Sequence, residues 1–160
     1  MFSYLQFLVK STNQHGVHSP FVYNYITKGL YQQKKDFTLS HKTNQWLLQS
    51  IQYFKPKAIY FFDKTLLDAI KQTSIEITVE LQTADLILEH YTPENHPSIL
   101  ETIKSMSNSQ LLLIAIYNYP KAFINELRQN PDITLVVDFY YGCLISKRIE
   151  QPKQNFFIRY

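Results

Sequence analysis

Three glycines, Gly16, Gly29 and Gly142, are all that a chain of 160 residues contains. None stands just after a strand-like stretch where an α/β fold would cradle a cofactor. Backbone approaches a phosphate, ribose or carboxylate closely only where no side chain intervenes, so such loops require glycine. Strands and helices can be built from this sequence, but a ligand-cradling loop cannot. Gly16 and Gly142 read as turn residues and Gly29 as the end of a helix.

The hydrophobic period divides the chain. Apolar residues up to position 54 recur at helical spacing. Phe2, Leu5, Phe7, Leu8 and Val9 make a short opening helix, which lacks the basic lead-in and small-residue cleavage site of a signal peptide. Ser19-Pro20 restarts a helix, because serine accepts from a free N–H of the first turn and proline has none there. Phe21, Val22, Tyr25, Ile26 and Leu30 follow it. A third helix covers 42–54 and stops before Pro56. After Pro56 the pattern alternates: strands at 58–62, 75–81, 84–88, 110–117, 133–139, 143–147 and 156–160, helices at 64–73, 96–106 and 120–129. The chain reads as one domain, with residues 1–55 a helical N-terminal segment and 56–160 an α/β core.

One connection breaks that regularity. Only two or three residues separate the strands at 75–81 and 84–88, whereas neighbouring parallel strands need a crossover of about a dozen. The spacing predicts that the two pair antiparallel or that one is not a strand.

Charge is unevenly spread. Residues 1–57 hold seven lysines against one acid, Asp36; residues 58–142 hold eleven acids against five basic residues. A basic segment ahead of an acidic middle can dock on it, or on an acidic partner, although solvated surface charge explains the same pattern. The single cysteine, Cys143, excludes an internal disulfide, fits a reducing compartment and lies in an apolar strand as a buried thiol. No apolar run approaches the ~20 residues of a membrane helix, so a cytoplasmic protein without membrane contact is expected.

Two segments resemble a known family. The N-terminal Thr12-Asn13-Gln14-His15-Gly16-Val17-His18-Ser19-Pro20-Phe21-Val22-Tyr23 resembles the opening of small bacterial class I S-adenosylmethionine-dependent methyltransferases. Residues 133–139, Gly142-Cys143-Leu144-Ile145 and 151–160 resemble their closing strands, and Phe54-Lys55-Pro56-Lys57 the lead into their first strand. The resemblance implies a truncated Rossmann-like methyltransferase sheet with helices on both faces, C-terminal antiparallel strands and an N-terminal helical extension.

It also implies a lost reaction. The family's first strand leads into an acidic, glycine-rich cofactor loop, whereas Asp63-Lys64-Thr65-Leu66-Leu67 here has no glycine. The acid that would hold the ribose has no clear counterpart, Glu80 being the nearest residue. His90-Tyr91 stand where an acid–glycine pair should follow the fourth strand. Ala115 and Ile116 stand near the place of paired metal-binding aspartates, and neither offers the oxygen a hard cation needs. The resemblance therefore implies no cofactor and no catalytic residue, with an active enzyme holding S-adenosylmethionine in an atypical site as the alternative. Action through a protein partner or self-association is expected, since a shortened sheet exposes apolar surface.

Few residues remain as candidates for chemistry. His15, His18 and Ser19 lie close enough to suit a metal or a proton relay, though a cap and a polar turn explain them better. His90 and His96, with Glu89 and Glu94, read as a solvated loop around Pro93. No Gly-x-Ser-x-Gly turn, phosphate loop or zinc framework is present. Aromatics are abundant, with 12 Tyr, 11 Phe and one Trp, but Lys34-Lys35 and Lys147-Arg148 are the only adjacent basic pairs. Nucleic-acid binding is not expected, and surplus tyrosines such as Tyr31, Tyr119, Tyr140 and Tyr141 suit a protein interface.

Overall fold

The protein is described from a computed structural model, which places residues 4–32, 41–61, 75–149 and 152–159. The helix expected at 64–73, the glycine-free loop at 62–67 and the Lys34-Lys35 pair lie outside the described residues.

Helix α1 (Tyr4–Lys10) is followed by a 3₁₀ turn, Gln14–Gly16. Ser19 then starts α2 (Pro20–Asn24), accepting from the Val22 N–H at 3.5 Å, as the Ser-Pro pair predicts. The helix continues through Tyr25–Leu30 as a π-helix, with the Tyr31 N–H donating to the Ile26 carbonyl at 2.9 Å. A simple 3.6-residue pattern does not foresee this wider winding. It turns Tyr25, Ile26, Gly29 and Leu30 all inward against α3 (Lys42–Phe54). Gly29 thus lies in the last turn of the helix, one residue before its end. A Cβ there would stand 2.8 Å from the Tyr53 ring, so the glycine serves close helix packing.

Beyond α3 the chain runs β1 (Ala58–Phe61), β2 (Glu76–Thr78), a 3₁₀ turn, β3 (Leu86–His90), α4 (His96–Ser105), β4 (Leu111–Ala115), α5 (Lys121–Gln129), β5 (Leu135–Asp138), β6 (Gly142–Ser146) and β7 (Gln154–Phe157). These strands form one seven-stranded mixed sheet in the order β2-β1-β3-β4-β6-β5-β7. Among the described strands only β6 runs against its neighbours; the other pairings are parallel.

The conflict over the short connection resolves in a way the spacing did not predict. Both segments are strands and both are parallel to β1, but they flank it and do not pair with each other. Because β2 is only three residues long, Thr78 stands level with Tyr60 and Leu86 with Ile59. The return therefore has to drop by a single residue step, and residues 79–85 cover it with one 3₁₀ turn.

Strand residues alternate between two cores, which is how helices come to cover both faces. Leu86, Leu88, Leu111, Leu113, Leu135, Val137 and Leu144 join the core of α2, the π-helix and α3. Ile87, Leu112, Ile114, Val136, Cys143 and Ile145 join that of α4 and α5. β4 is buried along its whole length.

The two ends of the chain meet at one edge of the sheet. Thr12 bridges Ile158 in parallel, its N–H donating to the Phe157 carbonyl at 2.8 Å. Tyr31 closes the same edge, its hydroxyl donating to the Arg159 carbonyl at 2.9 Å. Phe7 holds α1 down, with ring centroids 5.3 Å from Tyr140, 6.1 Å from Tyr119 and 6.1 Å from Phe157. The basic segment is thus seated on its own domain through rings and backbone pairing.

Candidate functional site

In open α/β sheets, ligands enter the crevice beyond the carboxyl ends of the parallel strands. At that edge the structure has a cleft of about 590 Å³, built by residues at and just after the ends of β3 and β4. His90, Tyr91 and Glu94 come from the first, and Tyr117 and Asn118 from the second. Its size falls within the range of small-molecule sites, roughly 300–1,000 Å³.

Each wall is held by neighbouring side chains. Tyr117 meets His90 edge-on at 4.9 Å and His41 at 5.4 Å, and its hydroxyl donates to Asn44 Oδ1 at 2.6 Å. His41 and Asn44 belong to the start of α3, which is anchored there by the Thr43 hydroxyl on the Ile116 carbonyl at 2.9 Å. On the opposite face Tyr91 stacks on Phe123 at 4.4 Å. His96 packs edge-on against Phe123 and pairs with Glu126 at 2.8 Å. Asn95 ties the connecting turn, its amide donating to the His90 carbonyl while its Oδ1 accepts the Thr92 N–H at 2.9 Å.

The stretch from Glu89 to His96 is a solvated turn only around Pro93 and Glu94, which are exposed. Glu89 and His90 end a strand, and Glu89 is only 1% exposed, accepting from the Thr102 hydroxyl at 3.1 Å. Strand pairing with β4 sets that burial, and composition alone did not reveal it. Burial also pushes the Tyr91 phenol above its usual range, helped by the charges of Glu126 and Glu94.

A second polar cluster lies one strand pair away. Asp138, fully buried at the end of β5, accepts from the Tyr119 hydroxyl, from Arg128 at 3.1 Å and from the Tyr140 N–H at 2.8 Å. Burial pushes the Asp138 carboxyl up, while these three partners pull it down. Arg128 in turn lies over the Phe157 ring at 3.5 Å. This cluster joins α5, β5 and β7, and Phe7 packs on its aromatic members.

His15 and His18, also singled out in the sequence, lie elsewhere. Ser19 is buried as the α2 cap, whereas His15 and His18 are exposed around the preceding turn. Among the described residues no group of three or more His, Cys, Asp or Glu side chains could hold a metal ion. Glu80 is exposed beyond the end of β2, with its carbonyl accepting from Thr83. Cys143 is buried, and that burial pushes its thiol well up. No described helix is long and apolar enough to cross a membrane. No family model and no curated protein matches the chain.

Proposed function

We propose that this chain is a methyltransferase-like scaffold that no longer binds S-adenosylmethionine and acts through protein contacts, in the cytoplasm. The observation that carries the reading is the end of β4. The residues that the resemblance sets near metal-binding acids are Ala115 and Ile116, both buried, and the Ile116 carbonyl is taken by Thr43 of α3. His90 and Tyr91 likewise put rings where the cofactor would need an acid and a glycine. These residues do not fit the cofactor. Helices on both faces and one reversed strand near the C-terminus support the methyltransferase-like lineage.

Protein contacts suit the surface better than nucleic acid does. Lys147 spends its ammonium on the Ile103, Lys104 and Met106 carbonyls, and Arg148 lies over Phe21 at 4.6 Å. Tyr4, Tyr140 and Tyr141 cluster with centroids 5.0 to 6.0 Å apart, the aromatic composition that protein interfaces favour. The cleft favours a second reading, an active methyltransferase with an atypical cofactor site.

Calorimetry with S-adenosylmethionine separates the two. No heat at millimolar cofactor is expected, and micromolar affinity would sink the scaffold reading. Light scattering should detect self-association as concentration rises; a strict monomer would leave only foreign partners.

A further inference from the structure

The cleft beyond β3 and β4 has a character that the fold alone does not require. Among the described residues its lining includes three rings, His90, Tyr91 and Tyr117, one carboxylate, Glu94, and no lysine or arginine. The rings are set before any ligand arrives: Tyr91 rests on Phe123, and Tyr117 is fixed by Asn44 and by the two histidine edges. A hydrogen bond from its own backbone and another from Thr92 hold the Glu94 carboxyl below its usual range, so it is ionised at neutral pH. Glu126, whose charge also raises the Tyr91 phenol, is a second acid nearby, within hydrogen-bond distance of His96.

Aromatic faces and edges attract different partners. A ring face draws cations through its quadrupole, and a nearby carboxylate strengthens that preference. An anion would meet Glu94 with no basic residue among the described lining to offset it. A metal ion would need several oxygen or nitrogen ligands on one point, and no such group occurs among the described residues. We propose that this cleft binds a small organic cation, an ammonium head on a compact apolar body, held between Tyr91, Tyr117 and Glu94. The proposal stands whether or not the cofactor has been lost.

The test uses two probes of the same shape, choline and its uncharged analogue 3,3-dimethylbutan-1-ol, titrated into the whole protein and followed by NMR. Choline should shift the Tyr91, Tyr117 and His90 signals saturably in the millimolar range, and the neutral alcohol about fivefold more weakly or less. Glu94 is exposed, so Glu94→Gln should leave the melting temperature unchanged while weakening choline about fivefold. Tyr117→Leu should weaken it further, and if that variant fails to fold, Glu94→Gln still decides. Equal response to the two probes, shifts that map elsewhere, or full affinity in Glu94→Gln would each overturn the proposal. A peptide bearing trimethyl-lysine that binds more tightly than choline assigns the cation to a protein side chain; weaker binding assigns it to a free amine. Micromolar S-adenosylmethionine binding that leaves the choline shifts intact would sink the scaffold reading alone.

Discussion

Gly142 stands at the first position of β6, where the Trp46 ring of α3 lies on its backbone. A Cβ built there would come within 2.2 Å of two Trp46 ring carbons. Its φ is not positive; the left-handed residue of the preceding turn is Tyr140, at φ 70°. The glycine is kept for proximity, and Tyr140 tolerates its conformation because its N–H is held by Asp138 and its ring stacks on Tyr119 at 4.8 Å. Gly142→Ala should therefore destabilise the fold by about 1–3 kcal/mol, read as a lower melting temperature with unchanged secondary structure. Scarcity of glycine was legible in the sequence, and its use was not. Turn formation is local, but the tryptophan that makes Gly142 necessary lies almost a hundred positions earlier. Tyr117 escaped notice, and His90 was read only as part of a loop, for the same reason, since only the β3–β4 pairing brings their ends together.

Among the elements, strongly periodic ones were the legible ones. The range 42–54 expected for α3 is the observed one, because the apolar stripe and Pro56 fix both ends locally. β2 was read as a longer strand because alternation continues past Thr78, although Val79 is exposed there and the chain turns away from the sheet. The closing strand was expected at 156–160 but runs Gln154–Phe157, displaced by its register with β5. α1 depends least on its own seven residues, a length at which isolated helices are unstable in water. Its seat is the Phe7 ring among Tyr119, Tyr140 and Phe157. Phe7→Ala should release α1 locally. Hydrogen exchange across 4–12 should rise toward the unfolded rate while β4 stays protected, and uniform loss of protection would contradict this.

The whole molecule should lose stability in alkali. The phenols of Tyr119, Tyr31, Tyr53, Tyr91 and Tyr141, like the Cys143 thiol, are all pushed up chiefly by burial. Above pH 9 to 10 the native state thus holds more protons than the unfolded chain, whose phenols ionise near 10.0 and thiol near 9.0. Stability is complete below those values and falls as pH rises through the shifted range. Tyr119 contributes most to the slope, being half-buried beside the Asp138 carboxylate. Denaturant midpoints should drop steadily from pH 9 to 11, and Tyr119→Phe should flatten that decline while costing about 1–3 kcal/mol at pH 7 through the lost hydrogen bond. A midpoint independent of pH across this window would refute the assignment.

The bridge from Thr12 to Ile158 also sets an order of events. A chain that emerges N-terminal end first carries its opening segment unpaired until the last strand is available. Parallel pairing between distant positions forms late, since the long intervening loop must close before any contact compensates for it. Folding should therefore finish at the sheet edge beside β7, with a slow phase there after the centre around β4 has consolidated.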